Sequence, residues 1–159
     1  MSRSMTRRGL AKVVAMGALV ACVGMASAIP ASATTPNDVA INADLTFTGP
    51  TSAAGTYAAS GAISDQGTAA EDFRFVGSQV QGTKVMTSAN GTISLYFDGK
   101  VTSTGPTTAV VDGRWVITGG TGNYAGEHGD GSVHSTVDFA TSTLHSTLTG
   151  KAFSAGSGE

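Results

Sequence analysis

Short segments in which apolar and polar residues alternate recur along the chain from residue 39 onwards. Such alternation places every second side chain on the same face, as in a β-strand that buries one face. The apolar members of the segments are Ile41, Ala43, Leu45 and Phe47; Phe73 and Phe75; Ile93, Leu95 and Phe97; Trp115 and Ile117; Val133, Val137 and Phe139; and Leu144 and Leu148. With a weaker segment at residues 56–64, the pattern predicts about eight strands.

Two connections between these segments are typical of hairpins. Asn90-Gly91 lies between two alternating segments, and this pair favours a two-residue turn in which both residues adopt positive φ. If Ala140-Thr141 forms a second two-residue turn, Val137 lies opposite Leu144 and the apolar residues of that hairpin share one face.

The composition supports an all-β fold. Gly, Thr and Ser make up 53 of the 126 residues after position 33, and Gly and Ser are poor helix formers while Thr prefers strands. We interpret residues 65–70 and 102–108 as loops. Sequential strands can close into a barrel, which removes the exposed edges of the sheet. The sequence therefore predicts an eight-stranded antiparallel barrel, with a two-sheet sandwich as the second choice.

The N-terminal segment predicts export. Its basic residues precede an uncharged apolar run at residues 13–25, and small residues follow as far as Ala33. This is the three-part layout of a secretory signal peptide, and the run is too short to cross a bilayer as a helix. We expect a signal peptide at residues 1–33 and an extracellular, secreted protein.

Two details leave the route of export open. Arg7-Arg8 resembles a twin-arginine signal, which competes with the general secretory route. Leu19 to Cys22 resembles a lipobox, so lipid anchoring at Cys22 is the alternative to cleavage after Ala33. Cleavage after Ala33 leaves one domain at residues 34–159, of normal size for a domain.

The charge and cysteine content of the exported domain narrow its partners. Residues 34–159 carry five basic against eleven acidic residues, a formal net charge of −6, and no cysteine. A nucleic-acid-binding protein needs a basic surface that neutralises phosphates. We therefore expect no nucleic acid partner, no membrane insertion after signal cleavage and no disulfide. The ends of the domain, residues 34–38 and 154–159, are predicted to be disordered.

One glycine-rich segment differs from ordinary strand sequence. Gly119-Gly120-Thr121-Gly122-Asn123-Tyr124 follows an apolar strand that ends at Ile117, and Gly129 comes seven residues after Gly122. No helix follows these glycines, which argues against a dinucleotide-binding loop. Glycines here supply positive φ for a turn and a bulge.

The same segment resembles the turn-and-strand signature of dirigent proteins. It is also similar to the wider group of allene oxide cyclase-like barrels, which includes secreted bacterial members of unassigned function. The resemblance covers roughly residues 71–153 and is specific over 113–131. It implies an eight-stranded antiparallel barrel, often trimeric, with a cavity for a small hydrophobic molecule and chemistry that needs no cofactor. The chain departs from dirigent proteins at Ala125, Glu127 and His128, where those proteins tend to carry basic residues.

Five residues are candidates for ligand binding: Arg74, Trp115, Tyr124, Glu127 and His128. Trp115 and Tyr124 are aromatic residues suited to line a cavity. Glu127 and His128 form an acid–base pair in the glycine-rich turn. Arg74 lies between Phe73 and Phe75, so alternation sends it into the lumen only if the aromatic face points outwards. No catalytic residue, metal ligand or cofactor is assigned.

Three functions remain open from the sequence. The first is a secreted barrel that binds a small hydrophobic ligand. The second is a cofactor-independent isomerase, cyclase or stereo-directing enzyme. The third is a cell-surface or matrix protein that acts by association. For the barrel itself, the resemblance implies a homo-oligomer, a trimer.

Overall fold

The computed structural model describes residues 35–155, so the predicted signal peptide and Cys22 lie outside the described residues. Eight strands fill this range, with one short 3-10 turn at Gly122–Tyr124. The strands are β1 Asn37–Gly49, β2 Ser52–Gly61, β3 Asp65–Val76, β4 Gln79–Ser88, β5 Gly91–Ser103, β6 Thr108–Gly120, β7 Glu127–Asp138 and β8 Thr143–Ser154.

Every strand pairs in antiparallel fashion with the strand before it, and β8 pairs with β1 to close the sheet. The predicted eight-stranded antiparallel barrel is therefore confirmed, and the two-sheet sandwich is not formed. Closure leaves no strand edge free along the ladder, because β1 and β8 satisfy each other's backbone groups over Asn37 to Thr46.

The alternation of the sequence decides which side chains enter the barrel. In β1 the inward residues Val39, Ile41, Ala43 and Leu45 are at most 3% exposed, while the residues between them are more exposed. The aromatic face also points inwards, since Phe73 and Trp115 are buried. The intervening arginines Arg74 and Arg114 lie on the outer surface.

The two ends of the barrel are different, and we name them by their connections. The upper end carries the turns at residues 50–51, 77–78, 104–107 and 139–142. The lower end carries the connections at residues 62–64, 89–90 and 121–126, together with the start of β1 and the end of β8.

The two predicted hairpins are present. Val137 pairs with Leu144 in β7–β8, as the alternation required, although the turn spans residues 139–142. In β4–β5 the turn is Ala89–Asn90, because Ser88 pairs with Gly91. The turn is therefore one residue earlier than predicted. The shift is explained by the packing of Gly91, which has φ 139°. Gly91 lies so close to the 121–126 connection that a Cβ at this position would be 2.0 Å from the Thr121 carbonyl oxygen.

Two expected loops are wholly or partly strands. Residues 65–70, interpreted as a loop, form the first half of β3, where Ala69 faces inwards and pairs with Gly55 and Met86. Small and polar residues hide the alternation there. The predicted loop at 102–108 is shortened to 104–107, because β5 and β6 extend further.

Three of the end residues predicted to be disordered, Asn37, Asp38 and Ser154, belong to strands. Asn37 and Asp38 belong to β1 and pair with Ala152 and Lys151 of β8. The Lys151 ammonium lies 2.8 Å from the Asp38 carboxylate, which adds an exposed ion pair to this pairing. Ser154 ends β8 and pairs with Glu127 of β7.

Glycine permits a close approach of backbones in the middle of the β5–β6 ladder. Gly99 and Gly113 are cross-strand partners. A Cβ at Gly113 would lie 1.9 Å from the Asp98 carbonyl oxygen and 2.5 Å from the Gly99 Cα. No such contact exists at Gly119 of the same strand, where a Cβ would meet nothing within 4 Å.

We expect Gly113→Ala to lower the free energy of unfolding by about 1–3 kcal/mol, because the methyl group forces the two strands apart. Gly119→Ala is the matched control and should be neutral or slightly stabilising, since alanine restricts the unfolded chain more than glycine does. Urea unfolding of both variants measures the difference. Equal stabilities would contradict the close packing of β5 on β6.

Candidate functional site

An apolar cavity occupies the upper half of the barrel. Its volume is about 40 Å³, measured as the room available to the centres of water-sized spheres. A water needs about 10–15 Å³ on this measure, so the cavity has room for roughly three. The lining residues are Phe47, Glu71, Phe73, Phe75, Val80, Lys84, Phe97, Val101, Ala109, Val111, Val133, Ser135, Val137, Phe139, Leu144 and Leu148.

The cavity exists because one wall of the barrel carries small side chains. Ala109 and Ser135 face inwards from β6 and β7, where larger residues would fill the space. Phe73 on β3 and Phe97 on β5 supply large side chains to the same lining. Since the barrel radius is fixed by strand number and stagger, small inward residues leave unfilled volume.

Aromatic side chains surround the mouth of the cavity at the upper end. The Phe47 ring stacks on Phe139 with their centroids 5.9 Å apart and meets Phe73 edge-on at 6.0 Å. Phe75 and Phe139 are 50% and 51% exposed. This rim is apolar, and about half of the surface of each of these two rings faces solvent.

A buried ion pair lies among the lining residues. Lys84 Nζ is 3.1 Å from Glu71 Oε2, and the two side chains are 2% and 6% exposed. They are direct cross-strand partners in the β3–β4 hairpin. Glu71 is in phase with Phe73 on β3, and Lys84 is in phase with Val80 and Met86 on β4, so both must point inwards.

The Lys84 ammonium is incompletely satisfied by the protein. It has three N–H donors, and within residues 35–155 the Glu71 carboxylate is its one charged partner. The Phe97 ring lies 5.9 Å from Nζ, at the outer limit of a cation–π contact. A second polar group of the lining, Ser135 Oγ, is 2.8 Å from Ser146 Oγ and is thereby satisfied. The N–H groups of Lys84 that do not contact Glu71 are thus available to hydrogen-bond a bound molecule.

This ion pair is not explained by stability alone. Burying two charges costs several kcal/mol per ion before their attraction is counted, and apolar residues of similar volume often stabilise a core at least as well. Apart from Ser135 and Ser146, which hydrogen-bond to each other, the buried residues around the pair are apolar. We therefore regard Glu71 and Lys84 as the centre of the candidate functional site.

A polar cluster closes the lower end of the barrel. The Asp65 carboxylate accepts short hydrogen bonds from the hydroxyls of Ser88 and Tyr124. The hydrogen bond from Ser88 is the largest of several effects that lower the pKa of Asp65 to about 2. Burial, together with the hydrogen bond to Asp65, raises the pKa of Tyr124 to about 12.

The Tyr57 hydroxyl lies beside this cluster. Its Oη is buried and makes no hydrogen bond within the described part of the chain. Burial raises the pKa of Tyr57, so the phenol stays protonated. Ile63, only 2% exposed, fills the neighbouring 62–64 connection. The lower end is thus packed and polar where the upper end is apolar and open.

The five residues predicted for ligand binding do not come together in one site. Arg74 lies on the outer surface. When the Gln81 amide is oriented to satisfy its hydrogen-bond partners, the Gln81 side-chain oxygen accepts a hydrogen bond from Arg74 Nε at 2.7 Å. Trp115 is buried, and its indole N–H donates to the Ser132 carbonyl at 3.0 Å. None of the five lines the upper cavity.

The other three predicted residues lie at the lower end. Tyr124 belongs to the Asp65 cluster. Glu127 is buried and accepts a hydrogen bond from Ser154 Oγ at 2.5 Å. His128 is exposed, and its ring stacks on Phe153 with the centroids 5.5 Å apart. Their role in ligand binding stays a prediction.

Sequence reasoning missed Glu71 and Lys84, although a signal for both was available. A charged residue in phase with buried aromatic or aliphatic neighbours must be buried or must break the strand. Glu71 precedes Phe73 by two positions, and Lys84 precedes Met86 by two. The apolar pattern marks the buried face of each strand, but with residues 65–70 interpreted as a loop it assigns no face to Glu71 or Lys84.

Two histidines on the outer surface, His134 and His145, each pair with an aspartate. His134 Nδ1 lies 2.6 Å from Asp112 Oδ1, and His145 Nδ1 lies 2.6 Å from Asp44 Oδ1. Among residues 35–155, no group of three or more histidine, cysteine, aspartate or glutamate side chains could hold a metal ion.

We expect Lys84→Met to lower the free energy of unfolding by roughly 3–5 kcal/mol, because it leaves the Glu71 carboxylate buried without its partner. The double variant Glu71→Leu/Lys84→Met should regain wild-type stability or exceed it, since neither charge is then buried. Urea unfolding at neutral pH compares the three proteins. A single variant as stable as the wild type would show that the carboxylate is not buried.

We expect Asp65→Asn to destabilise the protein by roughly 1–2 kcal/mol at neutral pH, because hydrogen bonds to a charged acceptor are lost. Since the pKa of Asp65 is lowered to about 2 in the folded protein, its contribution is full above the ordinary aspartate pKa and is lost as the pH falls towards 2. The stability gap between wild type and variant should therefore narrow between about pH 4 and pH 2. Thermal unfolding across this range measures it, and a constant gap would contradict the role of the charge.

Comparison with known proteins adds no relative. The chain matches none of the family models, none of the curated proteins and none of the solved structures. In residues 35–155 no helix is long and apolar enough to cross a membrane. The likeness to allene oxide cyclase-like and dirigent barrels accordingly remains a prediction from residues 119–124.

Proposed function

We propose that this protein is a secreted barrel that binds a small hydrophobic ligand in the upper cavity. The observation that carries the proposal is the buried ion pair of Glu71 and Lys84 within an apolar, one-ended cavity. Small-molecule sites are concave, mostly apolar and furnished with a few polar groups that orient the ligand. The upper cavity has this composition.

The volume of the cavity limits the size of the ligand. About 40 Å³ of room for the centres of water-sized spheres holds roughly three waters, so a single ring or a short chain fits only once the rim opens, and a large lipid is excluded. Rotation of Phe75 and Phe139, each about half exposed, would enlarge the mouth. The body of the ligand would then pack against Val133, Val137 and Leu144.

The charges of the cavity select the polar end of the ligand. Lys84 has donors to spare, so a ligand with a hydrogen-bond-accepting oxygen is favoured. Glu71 already neutralises the ammonium, and a carboxylate ligand would place a second negative charge beside Glu71 in a dry site. Burial of an uncompensated charge is costly. We therefore expect neutral ligands, such as alcohols and carbonyl compounds.

Benzyl alcohol and benzoate form a matched pair of probes, because they share a ring and differ in the charge of the polar end. We expect benzyl alcohol to shift the methyl resonances of Val133, Val137 and Leu144 in a saturable manner, and benzoate to bind more weakly. Trp115 fluorescence is a poorer reporter, since Trp115 does not line the cavity.

Ala109→Leu tests whether the cavity is the site. Ala109 lines the cavity and is 4% exposed, so the larger side chain should fill it and abolish the shifts. Ala58→Leu is the matched control, because Ala58 is exposed on the outer face of β2. If Ala109→Leu binds as the wild type does, or if neither probe binds a folded wild type, the proposed function is wrong.

A further inference from the structure

Lys84 differs in its surroundings from the other lysines of the described chain. Lys100 and Lys151 are exposed, and Lys151 pairs with Asp38 at the surface, whereas Lys84 is 2% exposed and its ammonium lies 3.1 Å from Glu71 inside the barrel. A lysine side chain that has given up its proton is the amine nucleophile of imine chemistry. In this barrel the carboxylate that can take the proton is already in contact.

We infer that Lys84 binds small apolar aldehydes covalently and reversibly, as an imine. This inference rests on the proposed function, since the aldehyde must enter the same cavity. It adds the ligand class and the bond that holds the ligand. The supporting geometry is a primary amine and a carboxylate, side by side, both lining an apolar cavity that opens to solvent at one end.

The step balances without a cofactor. Glu71 accepts a proton from the Lys84 ammonium, and the nitrogen lone pair attacks the carbonyl carbon as the π electrons move to oxygen. The carbinolamine oxygen takes protons from the nitrogen and from Glu71 and leaves as water, while the nitrogen lone pair forms the C=N bond. The resulting iminium carries the positive charge beside the Glu71 carboxylate, so the buried charge pair is kept.

The cavity favours this product in two ways. Its lining is mostly apolar, so little water is present to reverse the condensation, and the released water can leave past the Phe75 and Phe139 rim. A bound aldehyde is also held beside the amine, which replaces a bimolecular encounter. An exposed lysine has neither advantage.

Benzaldehyde with sodium cyanoborohydride tests the inference on the purified protein, because reduction converts an imine into a stable benzyl adduct. Peptide mapping then measures the adduct at each lysine. We expect Lys84 to be labelled about tenfold or more faster than Lys100 and Lys151, through the proximity of the bound aldehyde. Benzyl alcohol, which fills the cavity but cannot form an imine, should protect Lys84 and leave the two exposed lysines unchanged.

Two variants test whether the adduct depends on the Lys84 amine and on the cavity. Lys84→Arg keeps a cation beside Glu71 and cannot form an imine, so it should lose the adduct at this position while Lys100 and Lys151 are labelled as in the wild type. Ala109→Leu should reduce labelling of Lys84 and leave labelling of Lys100 and Lys151 as internal references. Both variants are first checked for the wild-type unfolding transition.

The outcomes separate this inference from the proposed function. If benzyl alcohol binds but Lys84 is labelled no faster than Lys100 and Lys151, the imine inference is overturned and the binding function stands. Labelling of Lys84 that benzyl alcohol does not reduce also overturns it, because the reaction would not occur in the cavity. If neither probe binds nor labels a folded protein, both are overturned.

Discussion

The pairing of β8 with β1 closes the sheet, and this closure constrains every inward position of the barrel. Once the ring is closed, its interior cannot widen or collapse to suit an individual side chain. Large inward residues such as Trp115 must then fit against the strands that surround them. The indole N–H of Trp115 reaches the backbone carbonyls of Ser132 on β7 and Thr149 on β8. Where the inward residues are small, as at Ala109 and Ser135, the same rigidity leaves a cavity.

Closure also makes the two ends of the barrel unequal. At the lower end Asp65 draws the hydroxyls of Ser88 and Tyr124 together, and Ile63 fills the neighbouring connection. Hydrogen bonds among Asp65, Ser88 and Tyr124 hold this end together. The upper end has aromatic rings in place of such a network. The difference between the two ends therefore follows from which connections carry polar residues.

Much of the fold was predictable because strand pairing between sequence neighbours is local. The alternation in β7 and β8 predicts the pairing of Val137 with Leu144, and the structure confirms it. The beginning of β3 was missed, since residues 65–70 hold no large apolar side chain and their alternation appears only when Ala69 is seen to be buried. The sequence pattern also could not say which inward residues meet across the lumen. That arrangement depends on the stagger of β1 against β8, whose paired residues lie about 100 positions apart in the chain.

The candidate site combines a local and a global cause. Glu71 and Lys84 face each other because of the β3–β4 register, which the short turn at residues 77–78 sets without help from the rest of the chain. In an isolated hairpin the pair would be exposed and its attraction would be weak. Closure of the barrel removes water from both groups and leaves them beside the unfilled volume under Ala109 and Ser135. The same event that forms the core thus turns an ordinary cross-strand ion pair into a dry amine and carboxylate that a small molecule can reach.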